Sequence, residues 1–201
     1  MILNPLQTGT YYLGTYIQHS PIAIFALESL LNEHKPGVII EIGTGWGGTA
    51  MYLSSWASLN DAQLHTFNIQ EQASEKVTNF IAKNGGEYYF TDVFTDDARN
   101  SIKNLMNSNS KVFIYCDGGN KTKELAYFSK YTKCGDVIGC HDYTTEVCPP
   151  LIDNFMKETG FDKIPDENFR SLQTLQMFWV DRKETKNGKK DIICSSDELK
   201  N

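Results

Sequence analysis

Basic residues are few in this chain compared with acidic ones. Its 201 residues include 19 lysines and arginines against 25 aspartates and glutamates, which gives a net charge of -6 with the histidines neutral. Proteins that bind nucleic acid or an anionic membrane surface use a basic patch, and this charge balance offers none. We therefore expect neither of these partners, and we expect the ligand to be a small molecule.

Long hydrophobic runs and paired cysteines are also missing. No apolar stretch reaches the roughly 18 residues that a membrane-spanning helix needs, and the opening MILNPLQTGT lacks the basic and apolar parts of a signal peptide. The five cysteines are odd in number and contain no C-x-x-C pair, which argues against a disulfide framework and a zinc site. These absences lead us to expect a soluble, cytoplasmic protein.

The chain does contain an alternation of short β-branched runs and helical segments. Ser20-Pro21 marks a helix start, and Pro36-Gly37 ends that helix. Strands are predicted at residues 38–42, 64–68, 88–91, 112–116 and 137–140, with helices at 48–59, 74–82, 97–106 and 121–131. Such an alternation predicts β-α-β crossovers and a parallel sheet that is covered by helices on both faces.

The pattern of elements changes in the last third of the chain. Pro149-Pro150 opens a further helix, strands are predicted near residues 161–164 and 175–180, and Asn187-Gly188 indicates a C-terminal hairpin. We find no linker that would divide the chain. The sequence therefore predicts one α/β domain over residues 1–201, with an N-terminal cap and helix at 1–36 and a core at 37–201.

The stretch VIIEIGTGWGGTAMYLS, residues 38–54, ends a buried strand in a loop with four glycines. In an open α/β sheet, ligands bind at the carboxyl ends of the strands. Residues without a Cβ let a ligand approach the backbone there, next to the free N–H groups that begin the following helix. Because Gly43, Gly45 and Gly48 fit the spacing G-x-G-x-x-G, the loop alone leaves a dinucleotide open.

Glu41 favours a ligand that carries a positive charge over a dinucleotide. An anion two residues before the first glycine gives no advantage to a pyrophosphate, whereas it would stabilise a ligand that carries an ammonium group. S-adenosylmethionine carries both an amino group and a sulfonium cation. The pattern E-x-G-x-G-x-G resembles motif I of the class I methyltransferases. A dinucleotide site, or a tight turn in which Glu41 caps backbone N–H groups, stays open as an alternative.

Two longer blocks resemble the cephalosporin-hydroxylase and rhamnosyl O-methyltransferase-like family. The first, from Tyr11, carries a glycine, a Gln-x-x-Pro and an E-x-G-x-x-x-G-G loop, which are matched by Gly14, Gln18, Pro21, Glu41, Gly43, Gly47 and Gly48. The second, VFIYCDGGNKTKELAYFSKYTKCGDVIGCHDYTTE, resembles the family's D-x-x-H strand end and its later acidic pair. The resemblance thus reaches from residue 11 to residue 146.

This resemblance implies a Rossmann-like, doubly wound sheet of about seven strands, mostly parallel, with an antiparallel strand near the C-terminus. It also implies a methyltransferase that uses S-adenosylmethionine to methylate a hydroxyl of a small, sugar-like acceptor, and a homo-oligomer. The aromatic stretch TGTYYLGTYIQ would lie at the subunit interface or fold over the cofactor, where His19 could belong to a lid. Cofactor-binding residues are predicted at Glu41, Gly43, Thr44, Gly45, Gly47, Asn68, Asp92 and Asp117.

Two of these positions leave alternatives, and a third residue, Asn120, departs from the family pattern. Asn68 stands where the fold usually has an acid for the ribose hydroxyls, so it would bind them without a charge, and Glu71 could substitute. Asp92 would lie beside the adenine or would cap the following helix. Asn120 stands where the family has a histidine as candidate base, and an amide cannot accept a proton near neutral pH.

The chemistry is predicted to involve residues at two further strand ends. The predicted catalytic residues are Asp117, Asn120, Lys121 and His141, with Lys123 as another candidate base. Asp117, His141 and Asp142 are also predicted to bind a divalent metal ion, for which carboxylates favour Mg²⁺ and an imidazole favours Mn²⁺, Fe²⁺ or Zn²⁺. The alternatives are ordinary capping roles for these acids, an NAD-dependent oxidoreductase, or a cofactor-binding module that has lost its chemistry.

Overall fold

The computed structural model describes residues 9–143, 145–164 and 176–180. Within them, seven strands form one sheet in the spatial order β5-β4-β3-β6-β7-β9-β8. The strands are β3 (Val38–Ile42), β4 (Gln63–Asn68), β5 (Glu87–Phe90), β6 (Val112–Cys116), β7 (Val137–Cys140), β8 (Phe161–Lys163) and β9 (Gln176–Val180). Strands β3 to β7 are parallel, and β9 runs antiparallel to both of its neighbours. The predicted fold class is therefore confirmed.

Helices cover both faces of the sheet. They are α1 (Pro21–His34), α2 (Gly48–Leu59), α3 (Glu75–Lys83), α4 (Asp96–Met106), α5 (Lys121–Phe128) and α6 (Pro149–Glu158), with a 3₁₀ turn at Ser129–Tyr131. Every residue of β3 is buried because the strand is central and covered on both sides. Ile40 belongs to one apolar core and Ile39 to the other, as the alternation of side chains along a strand requires.

The segment before α1 is more ordered than the sequence suggested. Strands β1 (Thr10–Tyr12) and β2 (Thr15–Ile17) form an antiparallel hairpin, in which Leu13 and Gly14 turn the chain with positive φ angles. The hairpin packs against α2, where the Tyr12 hydroxyl donates a hydrogen bond of 2.9 Å to Ser55. The chain then leads through His19 to Ser20, which caps α1 by accepting a hydrogen bond from Ala23.

Most predicted elements of the core agree with the structure to within a few residues, including the strands near 161–164 and 175–180. The predicted hairpin at Asn187-Gly188 lies outside the described residues. The division of the domain at residue 36 stays a prediction. Among the described helices, none has the length and apolar character to cross a membrane.

Candidate functional site

The site begins where β3 and β6 end side by side. The Asp117 amide donates to the Ile42 carbonyl at 2.7 Å, which brings the start of the glycine loop against the residue after β6. Gly43 has a φ of 99°, and a Cβ there would collide with the main chain of Asp117. Only glycine therefore allows this close approach of the two strand ends.

A cavity of about 360 Å³ opens at these strand ends. That volume lies within the range of roughly 300–1,000 Å³ that is usual for small-molecule sites. The cavity is lined by several of the predicted residues, including Gly43, Gly45, Asn68, Asp117, Lys121 and His141. A smaller cleft beside it is lined by Thr44 and Gly47. Most of the predicted cofactor and metal residues are therefore grouped at one edge of the sheet.

Glu41 lies behind the loop and is fully buried. Its Oε2 accepts a hydrogen bond of 2.5 Å from Thr66, while Oε1 has no hydrogen-bond partner among the described residues. Burial raises the pKa of Glu41 to about 8; the Thr66 hydrogen bond opposes this rise and the nearby Asp117 adds to it. The carboxyl group thus holds a proton near neutral pH in the absence of a cation.

Asp92 has a different environment. Its Oδ1 accepts a hydrogen bond of 2.8 Å from the Phe94 amide in a local turn, and the residue that caps the following helix is Thr95, so the capping role considered for Asp92 is wrong. Asn68 ends β4 at the cavity and donates to the Gln70 carbonyl at 2.5 Å. Among the described residues, the cavity lining includes Asn68 and Gln70 and does not include Glu71.

Two histidines meet at Asp117. His19 Nε2 is 3.2 Å from Asp117 Oδ2, and His141 Nδ1 is 3.8 Å from Asp117 Oδ1. The ring centroids of the two histidines are 4.1 Å apart, and one ligand atom from each of the three residues lies within 4.8 Å of the others. His141 Nδ1 also lies 3.1 Å from Asp142 Oδ2, and its hydrogen bond lowers the pKa of Asp142 against the opposing effect of burial.

Lys121 places a cation among the acids. Its Nζ lies 3.4 Å from Asp117 Oδ1, 3.6 Å from Asp142 Oδ2 and 2.6 Å from Glu146 Oε2. Burial would lower the pKa of Lys121, but Asp117, Glu146 and Asp142 together raise it. A lysine held in this way keeps its proton, so its environment favours an electrostatic role over that of a base.

The other candidate bases lie away from this cluster or cannot accept a proton. The Asn120 side chain accepts a hydrogen bond of 3.1 Å from the Lys123 amide and so caps α5. The Lys123 ammonium lies 3.8 Å from the centre of the Phe94 ring. Of the predicted bases, His141 is the one imidazole, and it lies 3.8 Å from Asp117.

Two residues of the cluster were not predicted from the sequence. His19 was expected only as part of a lid, and Glu146 was given no role. His19 hydrogen-bonds to Tyr115 across 96 residues of chain, a contact that no local pattern records. Its position directly before the Ser20-Pro21 helix start was the one available signal, since that start fixes where the preceding side chain lies.

The sequence profile of the family described as rhamnosyl O-methyltransferase/CmcI matches residues 5–187. The chain belongs to this family. The match covers most of the chain and confirms the resemblance found in the sequence, together with the O-methyltransferase class of enzyme that it implied. No curated protein sequence matches the chain significantly.

Solved structures of this family and of other methyltransferases share the fold. CmcI in its apo form is 12% identical over 85% of this chain and 76% of its own, with a TM-score of 0.66. A magnesium- and S-adenosylmethionine-bound CmcI structure is 12% identical over 85% and 75%, with a TM-score of 0.64. The O-methyltransferase TomG from Streptomyces achromogenes, solved with S-adenosylmethionine, is 16% identical over 80% of each chain, with a TM-score of 0.53.

Proposed function

We propose that the protein transfers the methyl group of S-adenosylmethionine to a hydroxyl of a small, sugar-like acceptor, with the help of a divalent metal ion. The observation that carries this proposal is the meeting of the glycine loop, Asp117 and His141 at one cavity. Family membership supports the O-methyltransferase chemistry. The relatives CmcI and TomG were solved with S-adenosylmethionine, and CmcI also with magnesium.

The glycine loop fits a cofactor that carries a cation. Gly43 and Gly45 have positive φ angles and expose bare backbone to the cavity. Behind them Glu41 keeps one buried oxygen without a partner among the described residues, and such an atom is costly unless a ligand satisfies it. An amino group near this oxygen would remove the proton from Glu41 and gain a charged hydrogen bond.

The acidic cluster fits a divalent cation. Asp117, Asp142 and Glu146 all lie within 4 Å of the single ammonium of Lys121, so two of the three negative charges lack compensation when the imidazoles are neutral. Asp117 and Asp142 would hold the ion together with His141. A bound ion would supply Lewis-acid chemistry that lowers the pKa of the acceptor hydroxyl.

The residues of the chain would chiefly position the reactants. Methyl transfer breaks the bond between carbon and sulfur, forms one between carbon and the acceptor oxygen, and leaves S-adenosylhomocysteine. Lys121 would hold Asp117 and Asp142 in place by its charge. The hydroxyl proton would leave to solvent, since the Asn120 amide cannot take it and the single lone pair of the His141 imidazole would be bound to the ion. The cavity would hold the donor and the acceptor in line for this displacement.

Calorimetry with S-adenosylmethionine, S-adenosylhomocysteine and NAD tests the cofactor. We expect the first two to bind and NAD not to bind, and tight NAD binding alone would indicate an oxidoreductase instead. Release of S-adenosylhomocysteine with a panel of hydroxyl acceptors tests the reaction, and EDTA should stop it. Cofactor binding without turnover of any acceptor would favour a module that has lost its chemistry.

The proposal extends to assembly as a homo-oligomer. Tyr11, Leu13 and Phe25 are large apolar side chains near the N-terminus, and each has more than half of its surface exposed. A subunit interface would bury them. The cytoplasmic location expected from the sequence stays a prediction.

A further inference from the structure

We infer that His19 is a further ligand of the metal ion, beside Asp117, Asp142 and His141, and that the site therefore selects Mn²⁺ or Fe²⁺ over Mg²⁺. This inference rests on the metal site of the proposed function and names the ion that the site prefers. The segment before α1, outside the sheet, would thus supply one of the ligands.

The distances suit a shared ion. Ligand atoms that bind one metal at about 2.1 Å in neighbouring octahedral positions lie about 3 Å apart. His19 Nε2 is 3.2 Å from Asp117 Oδ2, while His141 Nδ1 is 3.1 Å from Asp142 Oδ2 and 3.8 Å from Asp117 Oδ1. The two shorter contacts already have the separation of neighbouring ligands, and the 3.8 Å contact needs a side-chain shift before the group can surround one ion.

The surroundings of His19 also suit a ligand. The residue is 2% exposed, and its Nδ1 lies 3.3 Å from the Thr49 hydroxyl. Metal-bound histidines usually donate from the second ring nitrogen to an oxygen, which fixes the ring and directs the first lone pair at the metal. In the tautomer whose Nδ1–H donates to Thr49, Nε2 would carry the lone pair, and an ion bound by Nε2 and Asp117 would join the two side chains.

The donor types decide the choice of ion. Mg²⁺ prefers oxygen ligands only, and two imidazole nitrogens beside a carboxylate are typical of Mn²⁺, Fe²⁺ and heavier ions. The metal that accompanies S-adenosylmethionine in the CmcI structure is magnesium. The nitrogen donors of this chain therefore point to a different preferred metal in the same fold.

A competing role for His19 is a hydrogen bond that merely orders the site. Its Nε2 is 2.7 Å from the Tyr115 hydroxyl, so the ring could simply link α1 to β6. That role predicts no direct nitrogen signal from His19 on a bound metal. The number of imidazole nitrogens on the ion therefore separates the two interpretations.

The decisive measurement is electron spin-echo envelope modulation of Mn²⁺ bound to the full chain. We expect two imidazole nitrogens in the wild type, and one in each of the variants His19→Gln and His141→Gln. The matched control His65→Gln changes another buried histidine, which pairs with Tyr89, and should keep both nitrogens. A single nitrogen in the wild type would overturn the inference even if a variant failed to fold.

Calorimetry with Mn²⁺ and Mg²⁺ gives the second readout. We expect Mn²⁺ to bind at least about tenfold more tightly than Mg²⁺ in the wild type, and His19→Gln to remove most of that difference. Equal affinities in the wild type would contradict the inference. S-adenosylmethionine is titrated into the same samples, so that loss of cofactor binding refutes the proposed function separately from the choice of metal.

Discussion

Gly45 is the loop position where a single methyl group tests the cofactor site most directly. Its φ is 52°, and a Cβ there would meet only the flexible Gln18 side chain, at 3.2 Å. We expect Gly45→Ala to fold, with a strain cost of about 1–2 kcal/mol, and to weaken S-adenosylmethionine binding at least about tenfold, or 1.4 kcal/mol, because the methyl group enters the cavity. Calorimetry measures the affinity, and urea unfolding measures the strain.

Gly85→Ala is the matched control for that substitution. Gly85 also has a positive φ, 77°, but a Cβ there would meet nothing within 4 Å. The control should show a similar loss of stability with unchanged affinity. An equal affinity of the Gly45→Ala protein and the wild type would remove this loop from the cofactor site.

The raised pKa of Glu41 predicts a pH-dependent stability. Between its ordinary pKa near 4.5 and the folded value of about 8, the folded protein keeps a proton that the unfolded chain releases. The titration of Glu41 therefore leaves the free energy of unfolding unchanged below pH 4.5. Between pH 4.5 and pH 8 it lowers the free energy of unfolding, by at most about 1.4 kcal/mol per pH unit. Glu41→Gln should remove this slope, so that its stability relative to the wild type rises from pH 5 to pH 8.

Urea unfolding of the cofactor-free protein at pH 5, 6.5 and 8 measures this difference. Glu33→Gln removes an exposed carboxylate from the end of α1, and its stability should depend on pH in the same way as that of the wild type. If the stability of Glu41→Gln also depended on pH as that of the wild type does, Glu41 would be ionised in the folded state, and its buried oxygen would need another partner.

The start of α1 would connect helix stability to the proposed metal site. Ser20 caps the helix by accepting from Ala23 at 3.2 Å, directly after His19. Thr95 caps α4 in the same way, accepting from Ala98 at 3.3 Å. We expect Ser20→Ala and Thr95→Ala each to lower the free energy of unfolding by about 1 kcal/mol. Only Ser20→Ala should also weaken Mn²⁺ binding, because it releases the backbone beside a proposed ligand.

Chemical denaturation and Mn²⁺ calorimetry on the two variants measure these effects together. A loss of Mn²⁺ affinity in both variants, in proportion to their stability, would mean that the metal responds to general destabilisation. An unchanged affinity in both would show that His19 is held by its contacts with Tyr115 and Thr49 and not by the helix start.

Local patterns in the sequence were sufficient to predict most of the elements. The β-branched run at β3 and the Ser20-Pro21 helix start contain their own physical causes, which are burial on both faces and capping. The β1–β2 hairpin was not predicted, although Leu13-Gly14 offers a two-residue turn, because each strand is only three residues long and shows no clear alternation. The site residues that follow strands, such as Asp117 and His141, were predicted because strand ends can be located from the sequence. His19 was missed because its place in the site depends on contacts between segments that are far apart in the chain.

Assembly is a property of the whole molecule that the exposed apolar residues predict. Light scattering of the wild type at micromolar concentration should give a mass above that of one 22.8 kDa chain. We expect Tyr11→Ser combined with Phe25→Ser to shift the mass toward the monomer, because both side chains are exposed and apolar. Leu59→Ser, which changes a still more exposed apolar residue at the end of α2, is the control and should leave the mass unchanged. A monomeric wild type would leave the N-terminal stretch with only its packing on α2.

The central position of β3 has a consequence for protein synthesis. Val38 pairs with Val112, so the ribosome must complete β4, β5 and their helices before β6 can close the second edge of β3. A nascent chain that ends before β6 presents the apolar strand VIIEI with an open edge, which chaperones and other chains can bind. Ribosome-stalled chains released just before and just after β6 should therefore differ sharply in protease resistance; equal resistance would mean that the N-terminal half protects this edge without β6.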